Sequence, residues 1–236
     1  MIDSNLFFTW KGEESREYNL VITNMNPVSG FERQVKKQEI LGREGFVTID
    51  YEAAYGDTYQ VECFVGDEDY NSDEIKNWLS GSDKLSISLQ PDRYYKASVN
   101  SKIEITKYTD PIRGFIVTFD IQPYGYLYEQ TDEPIVITKS GTKIYNPGNY
   151  KSAPKVKVYG SGAVNLYFND KVLIFKEIDT YIEFDTELDE VFKDTTPMED
   201  KAVGETLFLL QGDNEIKWSG TGSITKVEIV PRWRCR

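Results

Sequence analysis

The largest group of residues that could perform acid–base chemistry lies between positions 177 and 190. Seven carboxylates fall within this segment: Glu177, Asp179, Glu183, Asp185, Glu187, Asp189 and Glu190. Glycoside hydrolysis needs two carboxylates about 5 to 9 Å apart, one to donate a proton and one to attack the sugar or activate water. An acidic protein offers many such pairs by chance, so we interpret the segment as a solvated strand-and-loop face. A carboxylate glycoside hydrolase is kept as a less favoured alternative.

A second acidic run, from Asp67 to Glu74, resembles a calcium-binding loop. An EF-hand loop requires glycine at its sixth position and glutamate at its twelfth. Counted from Asp67, those positions hold Ser72 and Trp78. The run is better explained as the start of a helix, where acidic side chains favour the positive end of the helix dipole.

Histidine is absent from all 236 residues. The chain therefore has no Ser-His-Asp or Cys-His catalytic site and no histidine-containing zinc site, and its two cysteines are too few for a four-cysteine zinc site. Acidic residues outnumber basic ones by 39 to 27, which argues against a dedicated nucleic-acid-binding protein because such proteins need a basic face. We expect no catalytic residue, no cofactor and no metal ion.

The remaining motifs also favour structure over chemistry. The glycines at 42–45 and 160–162 lack the spacing of phosphate-binding loops and indicate β-turns. The tryptophans Trp10, Trp78, Trp218 and Trp233 could stack on sugars, but Trp78 fits the apolar face of a helix, and Trp218 and Trp233 fit strand cores.

The N-terminus and the lack of a long apolar stretch predict a soluble protein that is made inside the cell. Cys63 lies in an apolar strand pattern typical of a buried free thiol, and a disulfide with Cys235 stays open as an alternative. We expect no signal peptide and no membrane insertion, because no basic region precedes an apolar run and no apolar stretch approaches the ~18 residues of a membrane span. The basic segment 231–236 is predicted to make salt contacts to acidic neighbours.

Most apolar stretches alternate with period two, the pattern of half-buried strands, and each is bounded by turn-forming residues. In the first half of the chain, the predicted strands are Glu44–Asp50, Tyr59–Val65, Ser82–Leu89, Val99–Tyr108 and Gly114–Ile121. One helix is predicted at about 72–80, with Asn71 as its N-cap, Glu74 as capping-box partner and Gly81 just beyond its end. Its apolar stripe, Ile75, Trp78 and Leu79, must lie on a sheet.

A short acidic linker around 128–134 predicts two domains, 1–130 and 131–236. The first carries 13 basic and 22 acidic residues, and the second carries 14 and 17, for net charges of −9 and −3. The predicted strands of the second half are Lys155–Val158, Val164–Phe168, Lys171–Phe175, Tyr181–Asp185, Thr206–Leu210, Glu215–Trp218 and Thr225–Val230, with a hairpin turn at Asn169-Asp170. About seven short strands in about 100 residues are typical of a β-sandwich.

The order of these motifs resembles the distal tail protein (Dit) family of long-tailed, siphovirus-type bacteriophages and prophages. The segments that carry the resemblance are Ile40–Phe46, Tyr55–Tyr59, Trp78-Leu79, Gln122–Tyr126, Tyr145–Gly148, Ser152–Pro154, Gln211–Trp218 and Val230–Trp233. Each segment alone consists only of turn-forming residues beside a predicted strand. The resemblance therefore depends on the ordered set of segments, which covers nearly the whole chain.

The resemblance implies a mainly β fold. An N-terminal ring-forming "belt" β-sandwich with one short helix would precede a C-terminal galectin-like β-sandwich. It also implies a hexameric hub ring, two of which can stack back to back, connecting the tail tube to the tail tip or baseplate. The implied partners are further copies of this chain, the tail tube protein, a tail-associated (Tal-type) protein and a receptor-binding protein. The implied location is the distal end of the tail in the virion, after assembly in the bacterial host cytoplasm.

We therefore expect a non-enzymatic structural protein whose ring lets DNA pass without sequence-specific binding. The acidic N-terminal half would repel phosphate and let the DNA slide. The alternative is a carbohydrate-binding, adhesin-like protein that uses the galectin-like domain for host-surface recognition. The inserted carbohydrate-binding modules of larger relatives would not fit within 236 residues, and the galectin-like fold by itself does not imply sugar binding.

Overall fold

The structure is a computed structural model that describes residues 5–65, 71–107, 113–129 and 131–236. The chain divides into two compact units, one ending at Gly125 but including Arg236, and the other running from Tyr126 to Cys235. The division falls five residues before the sequence-based boundary at 130. It lies there because Leu127 already belongs to the second unit, where its side chain packs on that unit's core and its N–H donates to the Trp233 carbonyl.

The first unit is a nearly all-β structure with one α-helix. Its strands are β1 (Phe8–Trp10), β2 (Glu13–Glu14), β3 (Leu20–Asn24), β4 (Arg33–Glu39), β5 (Phe46–Ala54), β6 (Asp57–Val65), β7 (Gly81–Ile87), β8 (Gln90–Val99), β9 (Thr106–Lys107) and β10 (Arg113–Leu127), and its helices are a 3-10 turn (Ser15–Tyr18) and α1 (Ser72–Trp78). Seven strands form one sheet in the order β2-β1-β7-β8-β10-β6-β3, with β9 beside β10, whereas β4 and β5 form a separate two-stranded sheet.

The predicted helix is present and packs on this sheet. The Asn71 side chain accepts hydrogen bonds from the N–H groups of Asp73 (3.1 Å) and Glu74 (3.3 Å), so the predicted N-cap is confirmed. Helix α1 is shorter than predicted and ends at Trp78, with Leu79 as its C-cap. Gly81 was predicted to follow the helix end, but it begins β7 with a φ of 74°.

A reciprocal pair of tryptophans fastens α1 to β1. The indole N–H of Trp10 donates to the Trp78 carbonyl (2.9 Å), and the indole N–H of Trp78 donates to the Trp10 carbonyl (3.0 Å). The Trp78 ring also stacks on Phe8 and Tyr18. Both tryptophans are buried, and the two hydrogen bonds satisfy the indole N–H groups, which would otherwise lie without a partner in an apolar core.

The second unit is built from one large curled sheet. Its strands are β11 (Ile135–Ile137), β12 (Thr142–Asn146), β13 (Lys155–Phe168), β14 (Lys171–Asp185), β15 (Glu190–Lys193), β16 (Thr196–Pro197), β17 (Ala202–Gly204), β18 (Gly212–Gly220) and β19 (Ser223–Val230), and one 3-10 turn lies at Glu199–Lys201. The last strand, β20 (Arg234–Cys235), lies outside this sheet and pairs with β10. The predicted turn at Asn169-Asp170 joins β13 to β14, with Asn169 in the left-handed region.

The long strands β13 and β14 allow this sheet to fold over its own core. The first half of β13 pairs with β19 and its second half pairs with β18, while β14 pairs with β15 near one end and with β17 near the other. Apolar residues on the inner faces form a single cluster, including Val156, Leu166, Phe175 and Ile229. The predicted mainly β fold is thus confirmed, and four of the predicted short strands merge into two long ones.

Two sequence-based strands were wrong in extent. The prediction Val99–Tyr108 covers the end of β8 and the two-residue β9, with no strand over 100–105, and Tyr108 lies outside the described residues. The segment 206–210 forms no regular strand, because Leu209 exchanges main-chain hydrogen bonds with Ser152 alone. Leu207 and Leu209 are nevertheless fully buried, so their alternation reflected burial without a sheet ladder.

Candidate interaction surfaces

The carboxylates of segment 177–190 are mostly paired with cations. Glu177 accepts from Lys201 (2.9 Å), and Asp179 lies 3.6 Å from the Lys193 ammonium. Glu183 lies between two ammonium groups, those of Lys155 and Lys157, at 3.1 and 3.0 Å. Glycoside hydrolysis needs one carboxyl group that donates a proton to the sugar, whereas these carboxylates are each held by an ammonium group. The arrangement is that of a structural ion-pair network.

Two members of this segment contradict the expectation of a solvated face. Glu183 and Asp185 are 8% and 4% exposed. Both lie on β14, and cations from neighbouring strands or from the C-terminal segment approach them closely. Burial of a carboxylate is tolerated where such partners replace water, and the partners could not be identified from local sequence.

The C-terminal basic segment makes the predicted salt contacts to acidic neighbours. Arg232 donates two hydrogen bonds to Asp185, at 2.6 and 2.7 Å, and its guanidinium also lies 3.2 Å from Glu187. Arg234 reaches the same Glu187 carboxylate at 3.5 Å. Burial alone would raise the pKa of Asp185, but the hydrogen bonds and charge of Arg232 outweigh it, so the pKa lies below its usual range.

The tryptophans and cysteines that the sequence singled out are buried or half-buried. Trp10, Trp78 and Trp233 are buried in the two cores, as predicted for the latter two, whereas Trp218 is only half-buried against the second core. Cys63 is a buried free thiol as predicted, and Cys235 is also a buried free thiol. Burial raises the pKa of the Cys63 thiol, which keeps it protonated and unreactive.

Within 5–65, 71–107, 113–129 and 131–236, no group of three His, Cys, Asp or Glu side chains is arranged to hold a metal ion. The first four positions of the calcium-loop motif, Asp67 to Tyr70, lie outside the described residues. In the described parts of the chain, no helix is both long enough and apolar enough to cross a membrane.

The outer face of β13 and β14 carries a pair of tyrosines, which we call the tyrosine face. Tyr159 and Tyr181 lie directly opposite each other, with ring centres 5.8 Å apart. Lys157 lies over the Tyr181 ring at 3.8 Å and Lys226 lies over the Tyr159 ring at 4.2 Å. A sugar that stacked on either ring would have to compete with these cation–π contacts.

The most exposed apolar surface is the hairpin of β4 and β5, which we call the arm (residues 33–54). Every residue from Val35 to Tyr51 is exposed, and the tip carries Leu41 with its side chain wholly in solvent. The predicted strand Glu44–Asp50 is therefore real, but the expectation that it is half-buried was wrong. From Phe46 to Tyr51 its alternation has no core beneath it, because β5 pairs with β4 alone among the described strands.

The two faces of the arm differ in composition. On one face, Arg33 is ion-paired with Asp50, and the Lys37 ammonium lies over the Phe46 ring at 4.9 Å. The other face, which we call the open face of the arm, carries the cross-strand pairs Lys36–Ile49 and Gln38–Val47, followed by Tyr51. Lys36 has no ion-pair partner among the residues that the structure describes.

An isolated two-stranded hairpin is marginally stable in water, and a contiguous exposed apolar surface marks a binding site. The arm therefore has the properties of an element that is completed by another molecule. Sequence reasoning located the strand but missed this role. The available signal was the run of polar residues in β4, in which Val35 is the single apolar residue that β5 could pack against.

No protein-family model and no curated protein sequence matches the chain. Among solved structures, the chain is similar to the Dit protein of SPP1 (gp 19.1), described as a paradigm of the hub adsorption apparatus in phages that infect Gram-positive bacteria. The similarity has a TM-score of 0.71, covers 95% of this chain and 97% of the other, and is accompanied by 13% sequence identity. The chain therefore has the fold of this phage protein over nearly its whole length.

Proposed function

We propose that this chain is a structural protein of a phage tail hub, and that six copies form a ring between the tail tube and the tail tip. The observation that carries the proposal is the fold shared with SPP1 Dit across both units. Because the match leaves almost none of either chain uncovered, the proposal does not rest on one common β-sandwich module.

The arm supports assembly in particular. A ring requires a head-to-tail interface, in which one surface of a copy contacts a different surface of the next. The arm presents apolar side chains and free strand edges for such a contact. The ring would then bind the tail tube protein, a Tal-type protein and a receptor-binding protein at the distal end of the tail. Assembly would take place in the host cytoplasm, and two rings can stack back to back.

The charge distribution supports passage of DNA through the ring. The first 130 residues carry a net charge of −9, which disfavours binding of phosphate.

The ion pairing of the acidic segment 177–190 also fits a structural protein better than a glycoside hydrolase, since the carboxylates stabilise the second unit.

The proposal is tested by measuring mass as a function of concentration. Light scattering on the full chain, from micromolar to millimolar concentration, should show particles of six times the 27.2 kDa of one chain, and electron microscopy should show closed rings. Tails purified from a producing phage should contain the protein at their tip. A chain that stays monomeric throughout this range and is missing from tails would refute the proposal.

A second candidate function is carbohydrate binding by an adhesin-like protein, and the observation that favours it is the tyrosine face. Tyr159 lies near Glu228 (hydroxyl to carboxylate 3.0 Å), which gives an aromatic ring beside a hydroxyl-binding group. The ammonium groups over both rings make it the weaker candidate. Glycan-array binding that is lost in Tyr181→Ala would support it, and a blank array would remove it.

A further inference from the structure

The outer face of the first unit's sheet carries a shallow groove over β6 and β10, where Glu62, Phe64 and Ile116 lie beside Lys102, Glu104 and Thr106. Val21 of β3 continues this face next to Phe64, and we call the four outward-facing residues Val21, Glu62, Phe64 and Ile116 the groove. Glu62 lies directly opposite Ile116, and Val21 lies directly opposite Phe64. Val21 is 40% and Ile116 is 51% exposed, so aliphatic side chains face solvent on a sheet whose other face is a packed core.

The groove also contains an uncompensated charge. The carboxylate of Glu62 has no ion-pair partner among the described residues, whereas the nearby Glu104 is paired with Lys102 at 2.8 Å. Glu62 is partly buried and lies beside Ile116, so an incoming cation would meet a carboxylate with fewer water molecules than a fully exposed one has.

The open face of the arm has the complementary composition. Its unpaired cation, Lys36, lies directly opposite Ile49, just as the unpaired anion Glu62 lies directly opposite Ile116. Val47 and Tyr51 extend the apolar row on the arm, and Phe64 and Val21 extend it in the groove. Each surface is thus a cross-strand pair of one charge and one isoleucine, continued by further apolar residues.

We propose that the groove receives the open face of the arm from a second copy of this chain. The two flat surfaces would pack as sheets do, face to face at about 10 Å, which buries both apolar rows and brings Lys36 to Glu62. The contact is head-to-tail, since the arm and the groove are different surfaces, and so it can be repeated around a ring. This inference rests on the proposed function and names the site at which neighbouring copies meet.

Cross-linking between two different variants tests the contact directly. Val47→Cys and Ile116→Cys are made in separate full-length chains, mixed at high concentration and treated with a short bismaleimide, while the native Cys63 and Cys235 are buried. The mixture should give a covalent dimer that neither variant gives alone. Val47→Cys mixed with Val203→Cys, an equally exposed valine of the second unit, is the matched control and should give none.

A charge exchange tests the predicted ion pair by an independent measurement. Lys36→Glu and Glu62→Lys should each weaken self-association about fivefold or more, and the double variant should recover most of the loss. Lys143→Glu, an exposed lysine of the second unit, changes the net charge equally and should have no effect.

The outcomes separate this inference from the proposed function. Rings that form normally without the Val47–Ile116 cross-link, and that are insensitive to the charge exchange, would overturn the groove and leave the tail-hub role standing. A cross-link in a protein that is missing from tails would support the groove and refute the tail role. If the protein neither assembles nor forms the cross-link, both the groove and the tail-hub role are refuted.

Discussion

The arm and the β13–β14 hairpin each contain a long strand in which apolar residues alternate, β5 and β14, but only β14 has its apolar face covered. In β14, Ile182 and Phe184 lie in the core of the second unit. In β5, Val47 and Ile49 face solvent. The difference lies in their neighbours: β13 and β14 pair with four further strands between them, whereas β5 pairs with β4 alone among the strands that the structure describes.

The comparison shows what alternation of residues reports. A period-two pattern indicates that one face of a strand is suited to being covered, but it does not indicate whether the same chain or another molecule covers it. In the arm, the covering surface is one that we assign to a neighbouring copy. The energetic consequence is that arm residues should contribute to assembly and core residues to folding.

The largest effect is expected in the core of the first unit, from which the arm extends. Trp78→Ala should lower the free energy of unfolding by about 3–5 kcal/mol, because it removes a buried ring and leaves the Trp10 carbonyl without the indole N–H that donates to it. Denaturant titration measures the loss. Lys76→Ala, on the exposed side of the same helix, is the control, and an unchanged midpoint for Trp78→Ala would contradict the placement of α1.

A somewhat smaller loss is expected for the covered hairpin of the comparison. Ile182→Ala in β14 should cost about 3.5 kcal/mol, since it leaves a cavity in a close-packed core. Thermal unfolding followed by circular dichroism would report it as a lower Tm. Val203→Ala, at an exposed position of β17, should leave the Tm nearly unchanged.

The buried ion pair of the second unit should show a pH-dependent contribution. Asp185→Asn leaves the Arg232 guanidinium without its carboxylate and should cost about 3 kcal/mol at neutral pH. Since the pKa of Asp185 is lowered in the folded protein, its contribution is complete above the unfolded pKa of about 3.9 and is lost as the pH falls through the lower folded pKa.

The measurement for this pair is the free energy of unfolding between pH 7 and pH 2. The stability of the native chain should approach that of Asp185→Asn at the acid end, while the exposed control Asp213→Asn should track the native chain throughout. A difference between native and Asp185→Asn that stays constant down to pH 2 would contradict a lowered pKa.

The smallest effect on folding is expected in the arm. Ile49→Ala should change the free energy of unfolding of the monomer by less than about 0.5 kcal/mol, although it removes the same atoms as Ile182→Ala. Self-association, measured on the same samples by sedimentation, should weaken. Equal losses of stability for the two variants would show that the arm packs on its own chain, and the comparison between the two hairpins would fail.

The sequence by itself determined the elements that depend on neighbouring residues. The Asn71 cap precedes α1, the Asn169-Asp170 turn joins β13 to β14, and Cys63 is buried, because capping, turn formation and alternation act over a few residues. The absence of histidine likewise excluded whole classes of catalytic site without any reference to folding.

Only the tertiary structure decided which surfaces are covered and which charges meet. Asp185 accepts hydrogen bonds from Arg232, which lies 47 residues further along the chain. The indole of Trp10 donates to the main chain of Trp78, 68 residues away. Whether β5 lay in the core or stood apart as an arm likewise depended on the strands that became its neighbours. Such pairings are set by the topology of the sheet, which brings distant segments together and which no local periodicity encodes.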